Sequence, residues 1–232
     1  VNRKLKKLFV NKYLIVGLVV LVGSSFLVSP PVMGQLFDTG QCTSYKEIHG
    51  TWYIGWEKKS YESAFIERDL FRIKNGLCSA YIAVHANVYQ DNMYSSDPYI
   101  GDRTVEDETL AKVVNKIHEL DMKTVLLTPL RPDDGTWEGE IQPRDLEIWF
   151  DHWEQILVHY AKFAEKHDVE VLLLGSELPT LREEPERWKE IIEEVRKYYS
   201  GDISFSVNFW ASRSEFREVI NMTQWEDMDY IG

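Results

Sequence analysis

From residue 49 onward, strand-like and helix-like segments alternate strictly along the chain. Short apolar runs rich in Val, Ile and Leu predict six strands, and apolar residues at helical spacing between them predict five helices. Turns after the helices are short, whereas most loops after the strands are long and polar. This alternation is typical of a parallel sheet covered by helices.

Two architectures share this alternation, a doubly wound sheet and a (β/α)8 barrel. Nucleotide-binding doubly wound sheets carry a Gly-rich loop after the first strand, and none follows the predicted strand Thr51–Trp56. Long loops at the carboxyl ends of the strands favour a barrel. We therefore predict an α/β fold, a (β/α)8 TIM barrel that is incomplete here at about six strands and five helices, with the last strand beginning at Met228.

Local signals set several of the helix boundaries. Thr104 and Asp107 are spaced as an N-cap pair in front of a strongly periodic apolar stripe. Pro185 is expected at the first position of a later helix, since proline suits that position. A shorter helix is predicted over Ser214–Asn221.

The N-terminal residues have the composition of an export segment. Residues 1–34 contain five basic residues and no acid, and Tyr13–Val28 carries no charge. The pattern predicts either a cleaved signal peptide or an uncleaved membrane anchor, and both alternatives remain open. In each case the basic end stays inside, so we expect the body to be secreted or anchored to the outer face of the membrane. Residues 35–48 are predicted to be a linker and 49–232 a partial barrel domain.

Charge and cysteine content limit the possible partners. The formal net charge is −12 although the N-terminal segment is basic, which argues against nucleic acid as a partner. Membrane contact is expected only through the N-terminal segment. Cys42 and Cys78 are the only cysteines. They are compatible with a disulfide outside the cytoplasm or with two unpaired thiols, and they are too few for a metal site.

Glu177 lies at the end of the fourth predicted strand, where the apolar run Leu172–Leu174 gives way to loop residues. Barrel enzymes place catalytic groups at the carboxyl tips of buried parallel strands. We therefore interpret Glu177 as a candidate general acid/base, whose apolar surroundings would raise its pKa. The alternative is an acid that caps a helix or lies in a loop.

Polar and aromatic residues follow several other predicted strands, and in a barrel they would converge on one mouth. Amides bind hydroxyl groups, indoles stack on sugar faces and acids transfer protons, so the set points to carbohydrate. Other acids in the loop after the third strand are interpreted as turn or solvated residues: Asp133, Asp134, Glu138 and Glu140. The candidate substrate-binding residues are Trp56, Asn87, Gln90, Trp137, Asn208 and Trp210.

Taken together, a series of short motifs between residues 49 and 232 resembles glycoside hydrolase family 113, the β-mannanase family in a clan of retaining (β/α)8 barrels. The motifs occur in order and with suitable spacing. They are Tyr89-Gln90-Asp91-Asn92, Thr104-Val105-Glu106-Asp107, Asp134 to Pro143, Trp149-Phe150, Tyr160 to Ala164, Gly175-Ser176-Glu177-Leu178, Val195 to Gly201, Val207-Asn208 and Asp229 to Gly232.

The resemblance implies a retaining, endo-acting hydrolase of β-1,4-mannan, with a mannan-type β-linked polysaccharide or oligosaccharide as partner. Glu177 would be the acid/base, Asn208 would lie in the sugar site after strand five, and Trp137 would lie near the cleft. No metal or organic cofactor is implied, and the complete protein is expected to be a monomer. The family's nucleophile is a Glu at the end of strand seven. No residue here is assigned that role, so this chain alone is expected to be inactive.

Two further departures from the family pattern bear on substrate choice. The family usually shows Lys-Pro-His after strand three, where this chain has Thr128-Pro129-Leu130. The clan's Asn before the acid is Ser176, which is too short for the same contact with a 2-hydroxyl. Two alternatives to a hydrolase therefore remain, a non-catalytic carbohydrate-binding or degenerate barrel and an unrelated binding protein.

Overall fold

The fold is an all-parallel sheet whose strands follow one another in chain order. A computed structural model describes Ile15–Val16, residues 49–207 and residues 223–231. Each of six successive strands is added to the same edge of the sheet, and Ile15–Val16 lies beyond the first of them. In chain order the six strands are β1 (His49–Tyr53), β2 (Tyr81–His85), β3 (Lys123–Leu127), β4 (Val171–Ser176), β5 (Asp202–Ser206) and β6 (Tyr230–Ile231).

This order distinguishes the two architectures that the sequence allows. A doubly wound sheet reverses its strand order at a switch point, whereas a barrel adds every strand on the same side. Among the strands that the structure describes, the order never reverses and all neighbours in the main sheet are parallel. The prediction of an incomplete (β/α)8 barrel is therefore confirmed. The helices between the strands are α1 (Ile66–Leu77), α2 (Asp107–Glu119), α3 (Leu146–Lys166) and α4 (Pro185–Arg196).

Alternate residues of each strand pack on opposite faces of the sheet, as the two-residue period of a strand requires. On β4, Leu172 and Leu174 face the helices and belong to the large core. Val171 and Leu173 face the other way and join a smaller cluster with side chains of β2 and β3. Two apolar layers of this kind, one under the helices and one inside, are the packing of a barrel.

Two predicted strands are shorter than expected, and each is followed by a separate short strand. Val88–Gln90 pairs in parallel with Leu130–Pro132 to form a second, two-stranded sheet. Pro129 separates β3 from its continuation and has no backbone N–H, but its carbonyl accepts a 2.9 Å bond from Val88 N. This small sheet extends the carboxyl ends of β2 and β3 and carries the residues that follow them.

The predicted N-cap pair at Thr104 and Asp107 is wrong. Helix α2 begins at Asp107 after Glu106, and no side chain caps it. The Thr104 hydroxyl instead accepts a bond from Gly101 N and donates to the Asn87 carbonyl at 2.8 Å. Thr104 therefore ties the long loop to the end of β2. Pro185 does open α4 as predicted.

The prediction for residues 1–34 stays a prediction, because only Ile15–Val16 of that segment is described. No helix among the described residues is both long and apolar enough to span a membrane. Cys78, at the end of α1, is disulfide-bonded, while Cys42 lies outside the described residues. The predicted helix over Ser214–Asn221 also lies outside them.

Candidate active site

Glu177 directly follows β4 in a backbone conformation that few residues adopt. Its φ of 51° lies in the left-handed region, which costs about 1–2 kcal/mol in a residue with a Cβ. The β4–β5 register is irregular between Leu173 and Ser176, and Glu177 N donates to the Ser206 carbonyl at 3.1 Å. The strained residue is thus held by the neighbouring strand, and such strain is common at functional sites.

Trp137 reaches Glu177 from the loop after β3. Its indole Nε1–H donates to Glu177 Oε2 at 3.2 Å, and the Trp137 side chain remains 43% exposed. The loop can fold this way because Gly139 lies under the ring, where a Cβ would be 2.3 Å from the nearest indole carbon. The structure therefore brings together the predicted acid/base and one predicted sugar-binding residue, although their roles stay predictions.

Glu138 is a second carboxylate near Glu177. From the sequence, Glu138 is predicted to be a turn or solvated residue. Burial raises the pKa of the Glu138 carboxyl, the nearby charge of Glu177 raises it further, and Arg131 opposes the rise. No sequence signal distinguishes Glu138 from Glu140, its exposed neighbour in the short 3-10 helix Glu138–Glu140. The difference arises from the loop conformation that turns one carboxylate inward.

Trp56 lies in the loop after β1 and is the most exposed large aromatic residue described, at 58%. The guanidinium carbon of Arg131 lies 4.8 Å from the centre of its ring. His85, the last residue of β2, approaches the same ring edge-on, with ring centres 6.3 Å apart. Trp56 therefore keeps an exposed surface, part of which Arg131 covers, and its role in sugar binding stays a prediction.

His85 is buried at the carboxyl end of β2. Neither of its ring nitrogens is hydrogen-bonded to any residue that the structure describes. Burial lowers its pKa to about 4, with a further contribution from Arg131. The imidazole is therefore neutral at pH 7. Its unpaired nitrogens are the kind of buried polar atoms that a ligand, water or further chain satisfies.

The pKa of His85 predicts a pH-dependent stability. The folded protein binds this proton near pH 4, whereas the unfolded chain binds it near the ordinary value of 6.5. As pH falls from 6.5 to 4, the unfolded state is therefore favoured, by about 3 kcal/mol in total. We expect urea unfolding at pH 7 and pH 4 to show this loss in the wild type but not in His85→Phe. Parallel pH profiles of the two proteins would contradict the assignment.

Asn87 and Gln90 serve the architecture of the mouth. The Asn87 amide nitrogen donates to the carbonyls of Gly55 at 2.9 Å and Trp56 at 3.2 Å, so it holds the loop that carries Trp56. Gln90 is fully buried, with its amide oxygen bonded to the Trp149 indole and its nitrogen to a backbone carbonyl. Gln90 therefore has no surface in this structure for a sugar contact.

Two of the predicted substrate-binding residues, Asn208 and Trp210, lie outside the described residues. Among the residues that are described, no group of three or more His, Cys, Asp or Glu side chains is arranged to hold a metal ion. Asp134 has the local turn role expected of it, since its carboxylate accepts a bond from Thr136 N at 2.9 Å.

Comparison with known proteins agrees with this geometry. The model of Glycoside Hydrolase Family 113 matches residues 50–232. One GH113 β-1,4-mannanase structure superposes with a TM-score of 0.72 at 25% identity, covering 79% of this chain and 60% of that protein. A complex of a GH113 β-1,4-mannanase gives 0.70 at 25% identity, covering 78% and 60%.

A third structure shares the fold at lower sequence identity. The GH113 β-mannanase from Alicyclobacillus acidocaldarius gives a TM-score of 0.71 at 22% identity, covering 78% of this chain and 59% of that one. The chain thus spans about 60% of the length of the solved mannanases that it matches. A search of curated protein sequences finds no significant match. The family match extends over most of the chain and includes Glu177 at the tip of β4, so the chain belongs to glycoside hydrolase family 113.

Proposed function

We propose that the protein is a glycoside hydrolase that cleaves β-1,4-linked mannan-type polysaccharide within the chain and with retention at the anomeric carbon. Glu177 is the general acid/base. The observation that supports this most is the Glu177 carboxylate at the tip of β4, hydrogen-bonded to Trp137 in the neighbouring loop. GH113 relatives with 25% identity are described as β-1,4-mannanases.

In a retaining reaction the acid/base first donates a proton to the leaving oxygen and then removes one from water. The Trp137 indole N–H donates to Glu177 Oε2 at 3.2 Å, so it orients the carboxylate for both steps. Trp56 offers an exposed face for a sugar ring.

The nucleophile in this mechanism is a second carboxylate about 5–5.5 Å from the first. Glu138 is poorly suited to that role, because burial raises its pKa and a nucleophile must be ionised. The resemblance assigns the nucleophile to a Glu on strand seven, so the coding sequence beyond Gly232 should contain it. An immediate stop codon would favour the alternative, a non-catalytic carbohydrate-binding barrel.

The proposed location is outside the cell, either secreted or anchored by the N-terminal segment. The basic start and uncharged run of residues 1–34 support export. The disulfide at Cys78 supports an oxidising compartment. The proposal is completed by a protein that acts on its polysaccharide as a monomer, without a metal or organic cofactor.

The test uses the full-length protein and β-1,4-linked mannooligosaccharides, with the first product observed by proton NMR. We expect internal cleavage and a β-anomer that appears before mutarotation, since a retaining enzyme keeps the configuration of the cleaved bond. An α-anomer as the first product would contradict the retaining mechanism. Binding without cleavage would favour the non-catalytic alternative.

A further inference from the structure

Arg131 presents a cation at the mouth of the barrel. It belongs to the short strand Leu130–Pro132 after β3 and is half-buried. Its guanidinium stacks on the exposed indole of Trp56, with 4.8 Å from the guanidinium carbon to the ring centre. A guanidinium stacked through its plane keeps its N–H edges free for a planar acceptor.

These N–H edges have no partner within the part of the chain that the structure describes. Four arginines there stack on aromatic rings, and three of them also pair with a carboxylate. The three pairs are Arg68 with Asp69, Arg103 with Asp133, and Arg187 with Asp151. Arg131 is the exception among the four, although it faces the same mouth as Glu177.

The surroundings of Arg131 suit an anion supplied from outside the protein. Glu138 is near enough for Arg131 to oppose the rise in its pKa, but the two side chains form no ion pair. His85 lies edge-on to the same indole with two unpaired ring nitrogens. A partly exposed guanidinium with free N–H edges can hold a ligand carboxylate through a bidentate pair.

We propose that Arg131, stacked on Trp56, binds the carboxylate of a uronic acid residue, so that the substrate class is an acidic β-linked polysaccharide. This proposal rests on the proposed function and specifies its substrate. The net charge of −12 repels densely charged polyanions. A polysaccharide that contains only occasional uronate residues is repelled less by this net charge. One guanidinium at the mouth can bind each such uronate.

The test compares two ligands that differ in the charge of one group, a carboxylate and its methyl ester. A β-1,4-linked mannooligosaccharide bearing one uronate residue and its methyl ester are given to the full-length enzyme, and the ratio of their kcat/KM values is measured. A charge-assisted bond corresponds to about a tenfold to hundredfold preference for the acid. We expect Arg131→Gln to bring the ratio close to one and Arg131→Lys to restore it in part.

Arg103 provides the matched control. It also stacks on an aromatic ring, 3.9 Å from the centre of Tyr89, but it is already paired with Asp133. Arg103→Gln should leave the acid-to-ester ratio unchanged. A wild-type ratio near one, or a preference that survives in Arg131→Gln, would overturn the uronate site while leaving the hydrolase assignment intact.

Failure of the proposed function is distinguishable from failure of this site. If neither ligand is cleaved, isothermal titration calorimetry of the same protein still compares the affinities for acid and ester. Tighter binding of the acid that weakens with added salt and in Arg131→Gln supports the site in a non-catalytic protein. Equal affinity for acid and ester overturns the site.

Discussion

Replacing Glu177 with glutamine in the full-length protein is expected to lower kcat on mannan about 10²- to 10⁴-fold, the usual contribution of a positioned general acid or base. The amide can neither give a proton to the leaving oxygen nor take one from water. Its carbonyl oxygen can still accept the Trp137 indole bond, which spans 3.2 Å in the wild type. We therefore expect the variant to fold and bind oligosaccharide normally, as measured by circular dichroism and calorimetry.

Leaving-group chemistry separates an acid from a merely structural residue. The dinitrophenolate group of a dinitrophenyl glycoside leaves without protonation. The first bond cleavage should therefore survive in Glu177→Gln and appear as a burst of dinitrophenolate. The matched control is Glu138→Gln, which removes a neighbouring carboxylate while leaving Glu177 in place. A larger loss in Glu138→Gln than in Glu177→Gln would transfer the acid role to Glu138.

The sequence predicts the parts of this fold that depend on local pattern. The apolar run before Glu177 predicts β4, and the spacing of apolar residues predicts α3, because burial of one face dominates the choice of local structure. Strand order is not local information. The prediction of a barrel depended on long loops and a missing Gly-rich motif, and the unreversed order of the strands confirms it.

Local patterns do not show contacts between residues that are distant in sequence. Thr104 has the spacing of an N-cap pair with Asp107, yet its hydroxyl bonds to Asn87 O, seventeen residues earlier. The long loop after β2 returns to the end of that strand, and the Thr104 hydroxyl forms the bond that holds it there. Gln90 is predicted to bind substrate, and that role stays a prediction. Its 3.1 Å bond from the Trp149 indole is likewise a contact that no local pattern indicates.

The candidate site could be located but not assembled from sequence. Glu177 and Trp56 lie at the carboxyl ends of predicted strands, and such ends converge at one mouth of a barrel, which makes both residues candidates. The contact between Trp137 and Glu177 spans forty residues and depends on how one loop folds over Gly139. The raised pKa of Glu138 and the unpaired guanidinium of Arg131 depend on the same folding, which no spacing rule encodes.

The largest expected effect on stability is at Trp153, whose side chain on α3 is fully buried. Its indole N–H donates to the Leu174 carbonyl at 3.0 Å, within the irregular stretch of the β4–β5 ladder just before Glu177. Trp153→Ala should lower the free energy of unfolding by about 3–5 kcal/mol. Trp153→Phe keeps much of the ring but leaves the carbonyl unpaired, so about 1–3 kcal/mol should be lost in urea unfolding.

Trp153→Phe is also expected to lower kcat/KM, because the unpaired carbonyl belongs to the segment that positions Glu177. Tyr199→Phe is the matched control, since the Tyr199 hydroxyl donates to the Val169 carbonyl at 2.8 Å just before the other end of β4. In barrels the carboxyl ends of the strands serve catalysis and the amino ends serve stability. Tyr199→Phe should therefore reduce stability by a similar amount without lowering kcat/KM, and equal kinetic losses in the two variants would refute a positioning role for Trp153.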